Sequence, residues 1–258
     1  MHSSLEGKTR KPGRPRKNSL QIPARQHLLE AAISRIAREG TTDVSAREIC
    51  ADSNVTYAMV NYNFGSWNGL IAEAASIVYV DYIETLWSLV NSADREPEAR
   101  LRAYLNGQLA WAQRMPGWGA VFNYPFSARK AMEILQKKFG HITSAYFQLN
   151  LARLEQLTID VRENRVTDFP YTTENFPKEE LLSDRLGAAR STMVGWTSLG
   201  MCVWASRGLT LEAQLPEVKQ LQQYFFDFAM EQTIADIRAD QIGHKFEKQD
   251  NDETDSHQ

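Results

Sequence analysis

The stretch from Ser45 to Leu70 limits what this chain can fold into more than any other part of it. Ser45 and Glu48 match a capping box, in which the serine hydroxyl accepts a hydrogen bond from the Glu48 amide and the Glu48 carboxylate accepts one from the Ser45 amide. This pattern predicts a helix over residues 46–51. A longer helix is predicted before it, over residues 23–39, because apolar side chains recur there at helical spacing.

A tight turn and a second short helix follow. Residues 52–54, Asp-Ser-Asn, are typical of turns, and Thr56 is a suitable N-cap for a helix that reaches about residue 63. Gly65 then breaks this helix, and Ser66 caps the next one. The pattern predicts three small helices that pack as one unit, here called the head (residues 22–68).

The last short helix of the head has two different faces. At about 100° per residue, Val60 and Phe64 share one face, which should pack on the two preceding helices. A surface helix normally carries Lys and Glu on its other side, whereas this one is uncharged, which indicates a recognition surface. The alternative is a helical hairpin that serves only packing. The outward arc carries Ala58, Asn61 and Tyr62, with Tyr57 at its boundary.

Residues 60–66, Val-Asn-Tyr-Asn-Phe-Gly-Ser, follow Arg-Glu-Ile-Cys at 47–50 and Asn-Val-Thr at 54–56. This order resembles the DNA-binding domain of the TetR (tetracycline-repressor-like) family over about residues 24–75. The sequence departs from the family pattern at three positions. Asn54 stands where a turn glycine is usual, Asn63 where histidine is usual, and Trp67 where the family uses a lysine to hold a phosphate.

The resemblance implies a helix-turn-helix whose last helix enters the major groove of DNA. Tyr57, Ala58 and Asn61 would then contact bases. Arg47, Tyr62 and the N-terminus of the following helix would hold phosphates, which sets the register but carries no sequence information. The residues of the head expected at DNA are Ser45, Arg47, Thr56, Tyr57, Ala58, Asn61, Tyr62 and Trp67.

The two ends of the chain have opposite charge. Residues 1–21, here called the arm, are basic and almost without apolar side chains, which predicts disorder because little burial offsets the entropy of ordering. Residues 11–17, Lys-Pro-Gly-Arg-Pro-Arg-Lys, resemble an AT-hook, although Pro12 stands where that motif has arginine. Arg14, Arg16 and Lys17 would reach an adjacent minor groove; the alternative is a solvated basic tail. Residues 241–258 should form a disordered acidic tail.

Residues 69–240, here called the body, predict a second and larger helical domain. Apolar residues recur at helical spacing over about 70–90, 98–115, 127–164, 181–207 and 211–237, and no segment reads as a convincing strand. Residues 115–119, Met-Pro-Gly-Trp-Gly, should interrupt the helices, with a short apolar piece over 120–122. The fold class expected is all-α, with a long helix joining the head to the body.

The middle of the body is rich in aromatic side chains and methionines. Such residues can line a cavity for a mainly apolar or aromatic small molecule, and the interruptions favour a cavity because broken helices pack less regularly. The alternative is that they pack in the core. The residues expected at the cavity are Trp111, Trp118, Phe122, Tyr146, Met193 and Trp196.

The last two helices of the body have another role that the resemblance implies. In the family they form a four-helix interface between two subunits, so the chain should be a homodimer. Gly195 and Gly200 would permit close helix approach, and Tyr224, Phe225 and Phe228 add to a broad apolar face. The alternative is that both helices are buried within one subunit.

The sequence disfavours several other classes of protein. The five histidines lack metal-ligand spacing, and neither a nucleophile motif nor a phosphate-binding glycine loop occurs, so neither an enzyme nor a cofactor is expected. No apolar run reaches the ~18 residues of a membrane span, and no secretory signal is recognisable, which indicates a cytoplasmic protein. Cys50 and Cys202 are expected to be free thiols.

These features predict a homodimeric transcriptional regulator, a repressor, that binds a palindromic double-stranded DNA operator and is released by a small-molecule ligand. Two alternatives remain open from the sequence. The first is an all-α small-molecule carrier or enzyme that keeps the fold without regulating transcription, and it would leave no DNA footprint. The second is a protein-interaction adaptor that uses the aromatic surface, and it would require a partner protein instead of an operator.

Overall fold

The computed structural model describes residues 21–39, 44–123, 129–168 and 216–239. The predictions for residues 1–20, for the helix over 181–207 and for the acidic tail lie outside these ranges. The described part is all-α, as predicted, with eight helices and no strand. The helices are α1 (Gln21–Glu39), α2 (Ala46–Asp52), α3 (Tyr57–Phe64), α4 (Trp67–Ser92), α5 (Pro97–Arg114), α6 (Pro116–Asn123), α7 (Arg129–Glu163) and α8 (Pro216–Arg238).

The break predicted at residues 115–119 is shorter than expected. Met115 alone separates α5 from α6, with φ −125° and ψ 50°. Proline suits the first turn of a helix because its missing N–H needs no partner there, so Pro116 begins α6 and does not interrupt it. The prediction of an interruption through residue 119 and a separate apolar piece is therefore wrong, since both segments form one helix.

α4 connects the head to the body. Its 26 residues span about 39 Å at 1.5 Å per residue. It packs against α1 and α3 of the head and against α5 and α7 of the body. Leu70 and Ile71 near its start are buried, as are Leu86 and Val90 near its end. Apolar contacts therefore hold α4 along its whole length.

One hydrophobic cluster runs from the head into the body. Leu28, Ile36 and Ile49 of the head belong to the same cluster of buried side chains as Leu101 and Leu157 of the body. Burying a side chain of this size contributes about 1.5–3 kcal/mol. The head is therefore stabilised by its contact with the body as well as by its own packing.

A buried hydrogen-bond network joins three helices of the body. Trp87 Nε1 of α4 donates to Asn150 Oδ1 of α7 at 2.9 Å, and Asn150 Nδ2 donates to the Tyr104 hydroxyl of α5 at 3.1 Å. Trp87 and Tyr104 are almost fully buried. Because a buried polar group without a partner is costly, this network favours one alignment of α4, α5 and α7.

α8 packs on α7 and α5 through one of its sides. Phe226 and Ile234 are buried there, and Arg102 of α5 forms a two-pronged ion pair with Glu231. Tyr224 and Phe228 are instead 63% and 58% exposed. α8 therefore carries large apolar side chains on an outward surface as well as on its buried one.

The corner between α3 and α4 depends on two glycines. Gly65 ends α3 with φ 76°, a left-handed conformation that favours glycine. Gly69 lies in the first turn of α4, where its amide donates to the Ser66 hydroxyl at 3.0 Å. A Cβ at Gly69 would lie 2.2 Å from the Phe64 carbonyl oxygen. No larger residue fits there unless the corner moves.

Replacing Gly69 by alanine should destabilise the protein by roughly 1–3 kcal/mol, the usual cost of overpacking. Gly140 of α7 is the matched control, because a Cβ there would have no atom outside its own helix backbone nearer than 3.5 Å. Gly140→Ala should be neutral or stabilising by up to about 1 kcal/mol, from helix propensity. Urea unfolding followed by circular dichroism measures both variants, and equal stability would contradict the close approach at Gly69.

Candidate functional site

The segment from Ser45 through the turn after α2 has the predicted geometry. The Glu48 amide donates to the Ser45 hydroxyl at 3.2 Å and the Ser45 amide donates to Glu48 Oε2 at 3.0 Å, which completes the capping box. Asn54 has φ 52°, so it adopts the left-handed conformation that asparagine tolerates. The buried Ser53 donates its hydroxyl to the Ile49 carbonyl at 2.8 Å. Side-chain hydrogen bonds thus hold both the start of α2, through Ser45 and Glu48, and its end, through Ser53.

Thr56 precedes α3 as predicted, but its side chain does not cap the helix. Its carbonyl oxygen accepts a hydrogen bond from the Met59 amide at 2.9 Å, whereas its hydroxyl makes no capping hydrogen bond. The prediction of Thr56 as the N-cap residue of α3 is therefore confirmed, although its backbone carbonyl and not its hydroxyl makes the hydrogen bond. The side chain is exposed at the start of α3.

α3 presents one face to the core and the other to solvent. Val60 and Phe64 are 0% and 5% exposed, and α3 packs against α1, α2 and α4. The predicted division of α3 into two faces is therefore confirmed. The outward face offers one amide, two phenols and a methyl group, and no charge. It consists of Tyr57 (48% exposed), Ala58, Asn61 and Tyr62 (60% exposed).

The remaining residues expected at DNA lie in different surroundings. Arg47 is exposed on α2. Ser45 is occupied by the capping box, and Trp67, the first residue of α4, is half-buried against the hydrophobic cluster. Trp67 therefore brings apolar packing to the start of α4. Arg14, Arg16 and Lys17 lie outside the described residues.

Arg35 of α1 is surrounded by three carboxylates. Its Nε and Nη2 donate to the two carboxylate oxygens of Asp52 at 2.7 and 3.2 Å. Its Nη1 lies 3.2 Å from Glu39 Oε1 and 3.3 Å from Glu48 Oε1. A two-pronged arginine–carboxylate pair is among the stronger charged hydrogen bonds. The network joins the middle of α1 to both ends of α2.

The pKa of each main member of this network is shifted towards its charged form. The hydrogen bond with Asp52 raises the pKa of Arg35, and the same bond lowers the pKa of Asp52. Hydrogen bonds with Ser45 chiefly lower the pKa of Glu48, and the charge of Arg35 lowers it further. All three groups are therefore ionised at neutral pH.

Arg25 connects α1 with α3 and α4. Its guanidinium forms an ion pair with Glu73 of α4, and its Cζ lies 5.2 Å from the centre of the Phe64 ring. A cation over an aromatic face is attracted to it. Arg35 is therefore engaged in contacts within the head, whereas Arg25 attaches α1 both to α3 and to Glu73 of α4.

Aromatic side chains from α4, α5 and α6 meet in the body. Trp111 lies 4.5 Å from Tyr82 between ring centres and 6.1 Å from Phe122, to which its ring is nearly parallel. Phe122 also makes an edge contact with Tyr79 at 5.6 Å and lies 6.1 Å from Trp118. The structure thus brings together three of the residues predicted at the cavity, Trp111, Trp118 and Phe122, in packed contacts.

The other residues predicted at the cavity are placed differently. Tyr146 is half-buried on α7, where burial and then the nearby Glu84 of α4 raise the pKa of its hydroxyl. Met193 and Trp196 lie outside the described residues. Tyr79 and Tyr82 are not among the residues predicted at the cavity, although α4 contributes both to the aromatic cluster.

An open groove of about 860 Å³ lies on the head, between α1 and the turn after α2. Glu30, Arg38 and Asp52 line it together with small and polar residues. It is distinct from the aromatic cluster of the body. Its charged lining does not suit the apolar ligand that the sequence predicts.

The described residues contain few reactive groups. They hold no cluster of three His, Cys, Asp or Glu that could bind a metal ion. No helix among them is long and apolar enough to cross a membrane. Cys50 is a free, half-buried thiol, and burial raises its pKa. A thiol in this environment is a poor nucleophile.

The ion pairs that hold the helices of the site in place were not predicted from the sequence. Glu48 and Asp52 are four residues apart on α2, so their carboxylates share a face. This spacing is visible in the sequence and could have indicated a site for a cation. Nothing local indicated that Arg35 of another helix lies opposite them. The same is true of Arg25 and Glu73, which are far apart in the chain.

The chain is similar at a low level to a solved structure. No family model matches it, and no curated protein matches its sequence. The crystal structure of a candidate transcriptional regulator from Pseudomonas aeruginosa PAO1 matches with 17% identity and a TM-score of 0.41, covering 83% of this chain and 93% of that one. A similarity of this size carries no argument about function.

Replacing Arg35 by methionine should lower the melting temperature at pH 7 and flatten its dependence on pH in acid. The lowered pKa values of Asp52 and Glu48 mean that the network stabilises the fold above their ordinary pKa values, near 4, and is lost as the pH falls through the lower folded-state values. In thermal unfolding between pH 7 and pH 3, the melting temperatures of wild type and variant should converge at the acid end.

Arg129→Met is the control for this experiment. Arg129 pairs with Glu133 four residues away, and both side chains are well exposed. Pairs of this kind contribute little, so the control should follow the wild-type curve. If the curves of melting temperature against pH for Arg35→Met and wild type stay parallel down to pH 3, the carboxylates do not stabilise the fold through Arg35.

Proposed function

We propose that this protein is a TetR-like, sequence-specific DNA-binding transcriptional regulator. It would act as a homodimeric repressor in the cytoplasm, bind a palindromic operator through α3 of each subunit, and leave DNA when a small molecule binds the body. The observation that carries the proposal is the outward face of α3. Exposed, uncharged, hydrogen-bonding side chains stand there on a helix whose opposite face is buried.

The outward face of α3 suits contacts with base edges. An asparagine amide can donate to and accept from adenine in the major groove, and a methyl group can pack on the methyl of thymine. Asn61 and Ala58 supply these two groups, and Tyr57 beside them adds a phenol. A helix that carried lysines and glutamates there would instead favour solvent or phosphates.

Phosphate contacts would come from the edges of the head. Arg47 and Tyr62 are exposed on α2 and α3, and Ser45 and Thr56 lie at the starts of these helices. Amides at the N-terminus of α4, beside Trp67, can receive a phosphate because the partial positive charge of a helix start favours anions. Such contacts would set the register of α3 without reading sequence.

The head alone carries too little positive charge for tight DNA binding. Residues 22–68 contain four arginines and no lysine against five carboxylates. Two of these arginines, Arg25 and Arg35, are already paired with carboxylates. The arm carries six Lys and Arg residues against one Glu. We therefore assign most of the phosphate neutralisation to the arm, including Arg14, Arg16 and Lys17.

The exposed side of α8 supports pairing of two subunits. Tyr224 and Phe228 lie one turn apart and are largely exposed, a pattern typical of a helix that packs against a partner. Two-fold pairing would set the two α3 helices one turn of DNA apart, about 34–36 Å. The second helix assigned to this interface, over residues 181–207, lies outside the described residues.

Release by a ligand would act through the aromatic cluster. Trp111, Phe122 and Tyr82 link α5, α6 and α4, and α4 continues into the head. An apolar or aromatic molecule that binds near them would tilt α4. Trp118, Tyr146, Met193 and Trp196 would complete its binding site. A full reversal of the population requires the ligand to prefer the released state by on the order of 5 kcal/mol.

Selection from a random pool of double-stranded DNA tests the proposal. Wild-type protein should enrich a palindrome with half-sites one helical turn apart. Asn61→Ala should then lose about 1–3 kcal/mol of discrimination at one base position while its affinity for random DNA stays nearly unchanged. Gel shifts with single-base operator variants measure this discrimination.

Asn63→Ala is the matched control on the same helix. The Asn63 amide is half-buried and donates to the Met59 carbonyl at 2.7 Å, so its loss should alter stability and leave base discrimination intact. Failure of wild-type protein to enrich any sequence would overturn the DNA-binding proposal. Equal loss of affinity for specific and random DNA in Asn61→Ala would show that Asn61 reads no base.

Deleting residues 1–20 should weaken operator binding and flatten its salt dependence. Six cations per subunit, and therefore twelve in the homodimer, would no longer displace counterions, so the slope of log K against log salt should become shallower by up to about 11. The control is deletion of residues 1–7, a segment with no Lys or Arg, which should leave the slope unchanged. A wild-type slope after the full deletion would rule out the role of the arm.

A further inference from the structure

The side chain of Trp118 makes a polar contact from the body to the backbone of the head. Its indole Nε1 donates to the Ile33 carbonyl of α1 at 3.0 Å, across 85 residues of sequence. Trp118 is fully buried, and α6 packs against α1. A carbonyl oxygen has two lone pairs, so Ile33 can accept this bond and still serve the helix.

The Trp118 hydrogen bond and the Arg25 ion pair attach different parts of α1. Ile33 lies in the second half of α1, whereas Arg25 holds the first half to α4 through its ion pair with Glu73. α1 is therefore attached to the body at a second point, which α4 does not supply. Apolar contacts alone tolerate sliding and rotation, but a hydrogen bond weakens steeply with distance and angle.

We propose that Trp118 is a positioning residue that sets the angle of α1, and with it α3, relative to the body. The proposal rests on the DNA-binding function given above. In a homodimer the body fixes the distance between the two heads, so this angle would decide which half-site spacing the pair accepts. One base pair changes the separation by about 3.4 Å and the rotation by about 34°. Without the Trp118 hydrogen bond, the heads would be free to adapt to a half-site spacing that differs by one base pair.

The first test measures the attachment without DNA. Trp118→Phe removes the N–H, and native-state hydrogen exchange of the α1 amides near Ile33 should become about 3- to 10-fold faster, the equivalent of one lost hydrogen bond. Trp87→Phe is the matched control. Trp87 is as deeply buried, and its Nε1 donates to Asn150 Oδ1 at 2.9 Å within the body, so its loss should not alter exchange in α1.

The second test measures spacing on the selected operator. Gel shifts use the preferred operator and versions with one base pair inserted or removed between half-sites. Trp118→Phe should reduce the preference for the best spacing by about 3- to 10-fold while keeping its affinity for a single half-site. Arg129→Met, which breaks only an exposed ion pair on α7, should retain the wild-type preference. A purely structural role for Trp118 would lower every affinity alike.

The outcomes separate the two proposals. Unchanged exchange in α1 overturns the attachment, and faster exchange with an unchanged spacing preference overturns the positioning role. If wild-type protein binds no DNA specifically, the proposed function fails, and the exchange result still decides the attachment. Should Trp118→Phe not fold, 3-benzothienylalanine at position 118 replaces the N–H by sulfur in a ring of the same size and gives the same readouts.

Discussion

The packing of Val60 and Phe64 against the neighbouring helices is the interaction on which the proposed recognition surface depends. α3 has eight residues, and isolated helices shorter than ~12–15 residues are marginal in water. α3 is therefore stable because its apolar face is held by α1, α2 and α4. The same burial determines which side chains face outward. Any change that loosens these two residues would affect the stability and the orientation of Asn61 together.

Charge in the head is used mainly for internal structure. Arg35 pairs with carboxylates at both ends of α2, and Arg25 pairs with Glu73 of α4. These pairs align the helices that carry the turn, but they leave few cations for phosphates. A head built in this way gains rigidity and loses electrostatic attraction to DNA, so the proposed function depends on cations supplied by another part of the chain. The arm is the only strongly basic segment in the sequence.

The head and the body are connected at more than one place. α4 runs through both, and α6 contacts α1 through the buried Trp118. Phe122 of the same short helix touches Trp111 and Tyr79 of the body. α6 therefore lies between the aromatic cluster and the head. The contacts of Trp118 and Phe122 offer a physical route by which a conformational change in the body could reach the proposed DNA-binding surface. This route exists beside the one through the continuous helix α4.

Local sequence patterns determined the helices of the head, the capping box, the left-handed Asn54 and the two faces of α3, because each depends on residues within one or two turns. They also determined the charge of the arm. Tertiary structure decided the rest. The partners of Arg35 and Trp118 lie on other helices, and no local pattern records which side chains meet across 17 or 85 residues. The error in α6 has a similar origin: a proline that can break a helix also fits the first turn of one, and the surroundings decide which of the two occurs.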